Sequence, residues 1–264
     1  MIFAIIFWGS VLLIFHTYLF YPLILQMLSF SKKENSIVYA EDELPGVSII
    51  ISAFNEEDVI AEKIESIYHS NYPADKFEVI IGSDASTDGT IKIIEIFAEK
   101  YPSLEFFDFR ERKGKGNVVN ALVQHAQFSF LVLTDANVIL DPDTLKYLIR
   151  HFKNEEIGLV DTNMINKGLK KEGISYQEKA YISREVKIKH MEGKLWGAMM
   201  GPFGGCYAIR KEDYTLVPAN YLVDDFYINM RIFEKGKKAV NDLNARVYED
   251  VSNNLKDEFR RKIR

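Results

Sequence analysis

Four short stretches carry side chains suited to chemistry. In FSFLVLTDAN, residues 128–137, an apolar run ends in Asp135 and Asn137. Phe130 to Leu133 suit a strand buried on both faces, which puts Asp135 at its carboxyl end. In an open α/β sheet that edge is where ligands bind. If the chain stays extended through Ala136, Asp135 and Asn137 point to one side, and their oxygens can share a hard cation. Mg²⁺ takes one or two carboxylates and fills its shell with water and phosphate oxygens. A strand end capped by turn-forming Asp and Asn is the structural alternative. Asp84 in GSDASTDGT repeats the geometry of Asp135, and an acid there can accept hydrogen bonds from a nucleotide's base or ribose. Asp84, Ser86, Asp88, Gly89 and Glu95 also match calcium-loop positions, but the run before them is strand-like, not helical. Lys115, between Gly114 and Gly116, offers a point charge suited to a diphosphate where glycine lets the backbone approach. Asp224 and Asp225 open a helix, either as dipole-favoured caps or with one carboxylate as a general base aimed at a hydroxyl.

The elements that must position these residues alternate. Strands are predicted at Val47 to Ser52, Glu78 to Ser83, Leu104 to Phe109 and Phe128 to Thr134, with helices over Asp58 to Ser70, from Thr90 to Lys100 and over Gly116 to Ala126. Such alternation calls for an α/β fold, a mainly parallel sheet covered by helices on both faces. Asp141 is the predicted cap of a helix with Pro142 in its first turn. Beyond it the spacing predicts a strand over Ile157 to Thr162, a helix over Tyr176 to Met191, and a glycine-rich loop leading into a strand by Arg210. A helix over Asp224 to Lys235, with Gly236 as its left-handed cap, and a short strand over Ala245 to Tyr248 complete the domain. Residues 254–264 read as an amphipathic basic helix, with Leu255, Phe259 and Ile263 opposite Arg260, Arg261, Lys262 and Arg264, suited to a membrane surface or to a phosphate.

The chain has 264 residues, 47% of them hydrophobic, enough for a full core. Its formal charge of -5 argues against a nucleic-acid partner, whose reader should be basic. Cys206 stands alone, so no intramolecular disulfide forms. Met1 to Ser31 contains no Lys, Arg, Asp or Glu. A helix of roughly 20 apolar residues spans a bilayer, so residues 1–31 are expected to be an uncleaved transmembrane anchor helix. Trp8, Tyr18 and Tyr21 suit interfaces and Pro22 a kink or exit. Residues 32–46 read as a linker, and Lys32 and Lys33 place the remainder of the chain in the cytoplasm by the positive-inside bias.

Seven segments, VSIIISAFNEE, GSDASTDGT, RKGKGNVVN, LTDAN, FGGCYAIR, VDDFYINMRIFEKGKKA and FRRKIR, follow the order and approximate spacing of family 2 glycosyltransferases. The resemblance covers about Val47 to Arg264 and is nearest to the membrane polysaccharide synthases of the cellulose, chitin, hyaluronan and poly-N-acetylglucosamine type. It implies a GT-A catalytic domain over 47–253, a nucleotide-sugar donor, Mg²⁺ or Mn²⁺, inversion at the anomeric carbon, and a glycan or lipid-linked acceptor. It further implies that residues 254–264 lead into membrane helices that this chain does not contain.

Carried over by position, Ala53, Asn55 and Glu56 would line the nucleotide pocket, Asp84 would hold uracil or ribose, and Lys115 would touch the diphosphate. Asp135 with Asn137 would stand as the metal-binding Asp-x-Asp, and Asp225 would be the base beside Asp224. Gly204, Gly205 and Asp224 would line the acceptor and sugar pocket, with Trp196 a stacking platform nearby. Arg261 and Arg264 fall on the Gln-x-x-Arg-Trp motif at the diphosphate. Two departures stand out. Asn137 replaces an aspartate, which removes one charge from the metal site while an amide oxygen can still ligate. Arg261 replaces a glutamine, and the motif's tryptophan lies beyond Arg264, which bears on processive synthesis. The rival readings are a sugar nucleotidyltransferase, which typically carries a Gly-rich, Arg-containing loop where Phe54-Asn55-Glu56-Glu57 stands, and a non-catalytic membrane-anchored nucleotide-sugar binder.

Overall fold

The computed structural model describes residues 1–167, 174–219 and 221–250, with backbone alone for 174–180. The predicted helix at 254–264, with Arg261 and Arg264, lies outside the described residues. Eight strands form one sheet in the order β3-β2-β1-β4-β7-β6-β8-β5. They are β1 (Val47–Ala53), β2 (Phe77–Asp84), β3 (Leu104–Phe109), β4 (Phe130–Asp135), β5 (Val138–Leu140), β6 (Ile157–Lys167), β7 (Cys206–Arg210) and β8 (Lys238–Asp250). β1, β2, β3 and β4 pair in parallel, as do β6 and β8, while β7 runs against β4 and β6 and β5 against β8. Parallel strands need crossovers that place helices on the faces. Successive residues of the central strands therefore feed two different cores. Ile49, Ile51, Val79, Ile81 and Val132 pack under α3 (Ile60–Tyr68), α4 (Thr90–Lys100) and α6 (Thr144–Ile149). Ile50, Ile80, Leu131 and Leu133 pack under α5 (Lys115–His125) and α8 (Asp224–Glu234). Each fully buried isoleucine contributes about 1.5–3 kcal/mol, so the strand ends are anchored by their apolar interiors.

Three sequence expectations are corrected. The helix after Asp141 starts at Thr144 with Asp143 as its N-cap, while Asp141 stands before it, its Oδ1 accepting from Asp143 N (3.4 Å) and its Oδ2 from the Tyr248 hydroxyl (3.0 Å). α7 runs Ile174–Trp196, five residues past the predicted end at Met191, since Gly193 stays helical. β8 is thirteen residues long, and its second half pairs with the unpredicted β5.

At the amino terminus, α1 (Ile2–Phe15), a π-helical stretch His16–Phe20 and α2 (Tyr21–Ser29) form one rod, Ile2–Ser29, long and apolar enough to cross a membrane. The rod is not free over its whole length. Leu25 and Ser29 are buried, the Tyr21 hydroxyl donates to Glu192 on α7, and Arg184 lies 5.6 Å from the Tyr18 ring. α1 has no buried residue. The rod's carboxyl-terminal third is docked on the domain, and α1 projects from it.

Candidate active site

The carboxyl ends of β1, β2 and β4 lie side by side, with Ala53 beside Ser83 and Ser52 beside Asp135. After β1 the chain turns through Asn55, whose φ of 54° is left-handed, a conformation Asn tolerates better than most residues. The Asn55 side-chain Oδ1 accepts from Thr87 N (2.8 Å), and Glu56 N donates to Thr90 Oγ1 (2.8 Å). Asn55 thus ties the loop after β1 to the loop after β2. Buried Ala53 closes the strand end. The Glu56 carboxyl is held above the usual range by burial, then by Asp135 and Asp88, so it faces the acidic edge.

Asp84 is 2% exposed and is committed to its own fold. Its oxygens accept from Lys113 N (2.6 Å) and Gly114 N (3.0 Å), and Arg112 Nε lies 3.2 Å away. The carboxylate expected to hold uracil or ribose also fixes the loop that opens α5, accepting from two amides that lead into that helix. The Arg112 guanidinium stacks 3.4 Å over Phe54. Neither Phe54 nor Arg112 is legible as a site residue in the sequence, since 58 positions separate them and only the β1 and β3 ends bring them together.

From that loop Lys115 reaches across the edge. Its Nζ lies 2.7 Å from Asp135 Oδ1 and 3.9 Å from Asp224 Oδ2. Burial opposes its charge, but Asp135 and Asp224 outweigh burial and hold the ammonium well above the usual lysine range. Two carboxylates from different elements therefore converge on one cation. Carboxylate oxygens are also the ligand type that hard divalent cations take.

The chain does not stay extended through Ala136. It turns at Ala136 and Asn137 and re-enters the sheet as β5, so strand alternation does not place Asn137 beside Asp135. The cause is a fully buried lysine. Lys63 on α3 donates to Thr134 Oγ1 (2.8 Å) and to the Val138 carbonyl, one on either side of the turn. Asn137 Nδ2 then donates to Glu249 Oε1 on β8 (3.1 Å).

Asp224 and Asp225 begin α8 as expected. The Asp225 carboxyl is raised above the ordinary range, by burial first and by Asp224 second. The hydrogen bond from Phe226 N (2.8 Å), Lys115 and Lys189 work against that shift. Gly204, at φ 78°, leaves it room, because a Cβ there would lie 2.5 Å from Asp225 Oδ2. Gly205 is similarly tight against Met164, and its carbonyl accepts from Asp135 N (2.9 Å) and Thr134 Oγ1 (3.0 Å). A small cavity at this edge is lined by Ser52, Lys115, Asp135, Gly204, Tyr207 and Asp224. Behind Asp225 lie two more charges the sequence does not single out. Burial pushes fully buried Asp161 up to about 7 and lowers Lys189, which stacks 3.5 Å over Phe203.

Trp196 is not brought to this edge. The extra turn and a half of α7 carries it to a separate cavity with His151, His190 and Lys238 at the start of β8. Lys238 pairs with Ile157 at the amino-terminal end of β6, the opposite edge of the sheet. Among the described residues no group of three or more His, Cys, Asp or Glu forms a metal-binding cluster.

Residues 48–215 match the family described as Glycosyl transferase family 2. The chain belongs to that family. It is a glycosyltransferase with a GT-A-like fold. The poly-beta-1,6-N-acetyl-D-glucosamine synthase of Staphylococcus aureus (strain MSSA476) is 32% identical over 123 residues, 46% of this chain and 29% of the synthase. The synthase of the same name from Staphylococcus epidermidis is 28% identical over 57% of this chain and 39% of its own length. This chain thus aligns with well under half the length of these curated relatives. Among solved structures, the mannosyltransferase PcManGT from Pyrobaculum calidifontis, in complex with GDP-Man and Mn²⁺, aligns at TM-score 0.76 and 24% identity over 93% of this chain and 69% of its own. TarS 1-349 of S. aureus in complex with UDP aligns at TM-score 0.59 and 19% identity over 78% and 61%. Such identities speak for the fold.

Proposed function

We propose that this glycosyltransferase inverts the anomeric carbon as it moves a sugar from a nucleotide-sugar donor, a UDP-sugar, to a hydroxyl of a glycan or lipid-linked acceptor. The setting is the cytoplasmic face of the cell membrane, in cell-surface polysaccharide synthesis, with the Ile2–Ser29 rod in the bilayer. The observation that carries this reading is the placement of Asp225. Its carboxyl is raised in pKa, seated against Gly204, and shares one sheet edge with Asp135, Lys115 and Asp224. A general base works best with a pKa closer to the operating pH than an ordinary carboxylate has.

In the proposed step Asp225 removes the proton of the acceptor hydroxyl. The acceptor oxygen forms the new bond to the anomeric carbon from the face opposite the leaving group. The bond from that carbon to the diphosphate oxygen breaks, and the nucleoside diphosphate departs with the electron pair. Lys115 moves its charge from Asp135 to the departing diphosphate, and Phe54 with Arg112 offers a stacking platform for the base. Asp135, Asp224 and the Asn137 oxygen would hold Mg²⁺ or Mn²⁺, which supplies charge neutralisation of the diphosphate when bound. The two named structural relatives with GDP-Man and Mn²⁺ or with UDP support this choice of ligand class.

Asp225→Asn tests the base. It should leave nucleoside diphosphate binding unchanged and lower transfer by at least about 10²-fold, the usual contribution of general base catalysis. Transfer at the parent rate would refute the assignment. Release of pyrophosphate instead of nucleoside diphosphate would replace the reading with a nucleotidyltransferase.

A further inference from the structure

Large apolar side chains bracket the two aspartates that open α8. Leu222 and Val223 precede Asp224, and Phe226 follows Asp225. Met200 comes up from another segment, since a Cβ on its neighbour Gly201 would stand 3.2 Å from Phe226 Cδ2. Leu222 is 86% exposed and Met200 73%, and Val223 and Phe226 are exposed as well. A local packing role does not account for Leu222. A residue just before a helix cap often packs on the fourth helical residue, which here is Tyr227. The Tyr227 ring instead has the Tyr221 ring at 4.8 Å, and Leu222 stays in the open. Single exposed apolar residues are ordinary, whereas adjacent ones mark a surface that meets a partner. Nothing among the described residues covers this one.

The neighbour of the patch is the amino-terminal rod. Met200 N donates to Glu192 Oε2 (3.3 Å), and Glu192 Oε1 accepts from the Tyr21 hydroxyl. One carboxylate thus separates the patch from the rod. A bilayer core takes roughly 20 helical residues, and counted from Ile2, where the rod begins, they end at Tyr21. Tyrosine is a residue of membrane interfaces, and Arg184, beside the Tyr18 ring, can extend its charge to lipid headgroups. The patch therefore lies at the level where the rod leaves the hydrocarbon. We propose that Met200, Leu222, Val223 and Phe226 dock into the surface of the same bilayer that the rod crosses. The inference rests on the reading of the rod as a membrane span. Docked in this way, the Asp225 carboxylate opens at headgroup depth, which favours the lipid-linked of the two acceptor classes.

The test places an environment-sensitive nitrobenzoxadiazole label at single sites of the full chain in phosphatidylcholine nanodiscs. Cys206 is buried and does not compete for the label. Leu222→Cys and Met200→Cys sample the patch from two segments, so the failure of one variant to fold leaves the other. Ile96→Cys is the control, an exposed apolar position on α4, on the other face of the sheet. Phe7→Cys on α1 reports on the rod itself. Labels at 222 and 200 should emit further to the blue than the label at 96. Spin-labelled phosphatidylcholine should quench them at a depth of about 5–10 Å below the headgroup boundary, and iodide in the water should quench them less than it quenches the label at 96.

Labels at 222 and 200 that behave like the one at 96, while lipid still quenches the label at 7, would overturn the docking surface and leave the membrane span standing. Labels shielded from iodide and from lipid alike would overturn it too, in favour of a protein cover, either residues 251–264 or a second copy of the chain. If lipid does not quench the label at 7, the membrane reading falls and the inference falls with it.

Discussion

Replacing Lys115 with Met should move metal and nucleotide binding in opposite directions. The ammonium lies 2.7 Å from Asp135 Oδ1 and 3.9 Å from Asp224 Oδ2, on a side chain 44% exposed. Two unit charges 4 Å apart interact by about 4 kcal/mol at an effective dielectric of 20. Solvent screening of a half-exposed pair leaves roughly 1 kcal/mol. A divalent cation arriving at Asp135 must displace that ammonium. Removing it should therefore tighten Mn²⁺ binding to the nucleotide-free protein by about fivefold, the equivalent of about 1 kcal/mol. The diphosphate loses a charge-assisted hydrogen bond worth about 1.5–3 kcal/mol, so UDP binding at saturating Mn²⁺ should weaken ~10–100-fold. Isothermal titration with Mn²⁺ alone, then with UDP, reads both. Weaker or unchanged Mn²⁺ binding in Lys115→Met would refute the view that the lysine occupies the cation's place.

The remaining predictions concern the groups around that lysine. Lys63 is fully buried and lowered to about 8, whereas the unfolded chain keeps the proton to about 10.4. Between those values the unfolded state binds more protons, so stability should rise with pH by up to about 3 kcal/mol; thermal melts from pH 7 to 10.5 should show the rise, and Lys63→Met should abolish it. Gly204→Ala meets both a φ of 78° and a Cβ 2.5 Å from Asp225 Oδ2. It should cost about 2 kcal/mol in melts and lower kcat more than it changes KM, whereas Gly114→Ala, also at positive φ but with nothing near its Cβ, should cost only about 1 kcal/mol. Asp225 must be ionised to act, so activity should climb with pH through a value above that of an ordinary aspartate. A rate already flat down to the ordinary aspartate range would exclude Asp225 as the base.

The parallel half of the fold was legible because its strands are buried on both faces. VSIIIS, EVIIGS and FLVLT are continuous apolar runs with an acid or a turn at the carboxyl end, and that pattern fixes both the strand and the edge. Asp84 and Asp135 were legible for that reason, whereas Lys115 was read from its flanking glycines and Asp224 and Asp225 from the start of a helix. β5 escaped because three residues, Val138–Leu140, carry no period. Half of β8 escaped because buried Asn241 and Asp242 interrupt its alternation. Trp196 was misplaced because Gly193 reads as a helix breaker, while in the structure its missing side chain lets α7 pack closely on β8, where a Cβ at 193 would lie 3.1 Å from the Val240 Cα. Lys63 and Lys189 look like solvent-facing charges on amphipathic helices. Only tertiary structure shows that each points inward, one under the turn at Ala136 and Asn137 and one behind Asp225.

Those lysines bear on how the edge holds together. Asp135 raises Glu56, Asp224 raises Asp225, and all three aspartates raise Tyr207, so the acids at this sheet edge repel. Lys115 lies in front of them, Lys189 behind Asp225 and Lys63 beneath Asp135. Lys63 and Lys189 are sealed in the core and cannot leave. Lys115 can, because it is half-exposed and begins a helix whose preceding loop is pinned to Asp84. Asp84 and Lys115 are thus two ends of one segment, and any ligand that pulls the lysine off Asp135 loads the amides on Asp84. Asp84→Asn would keep the shape and weaken that anchor, so Lys115 would be held less firmly at Asp135. On the proposed function, a donor's diphosphate would arrive with its own cation, which would take over at Asp135 as Lys115 leaves. The three lysines keep the acidic edge compensated in the folded chain, which is why a site this negative can form at the end of a folded sheet.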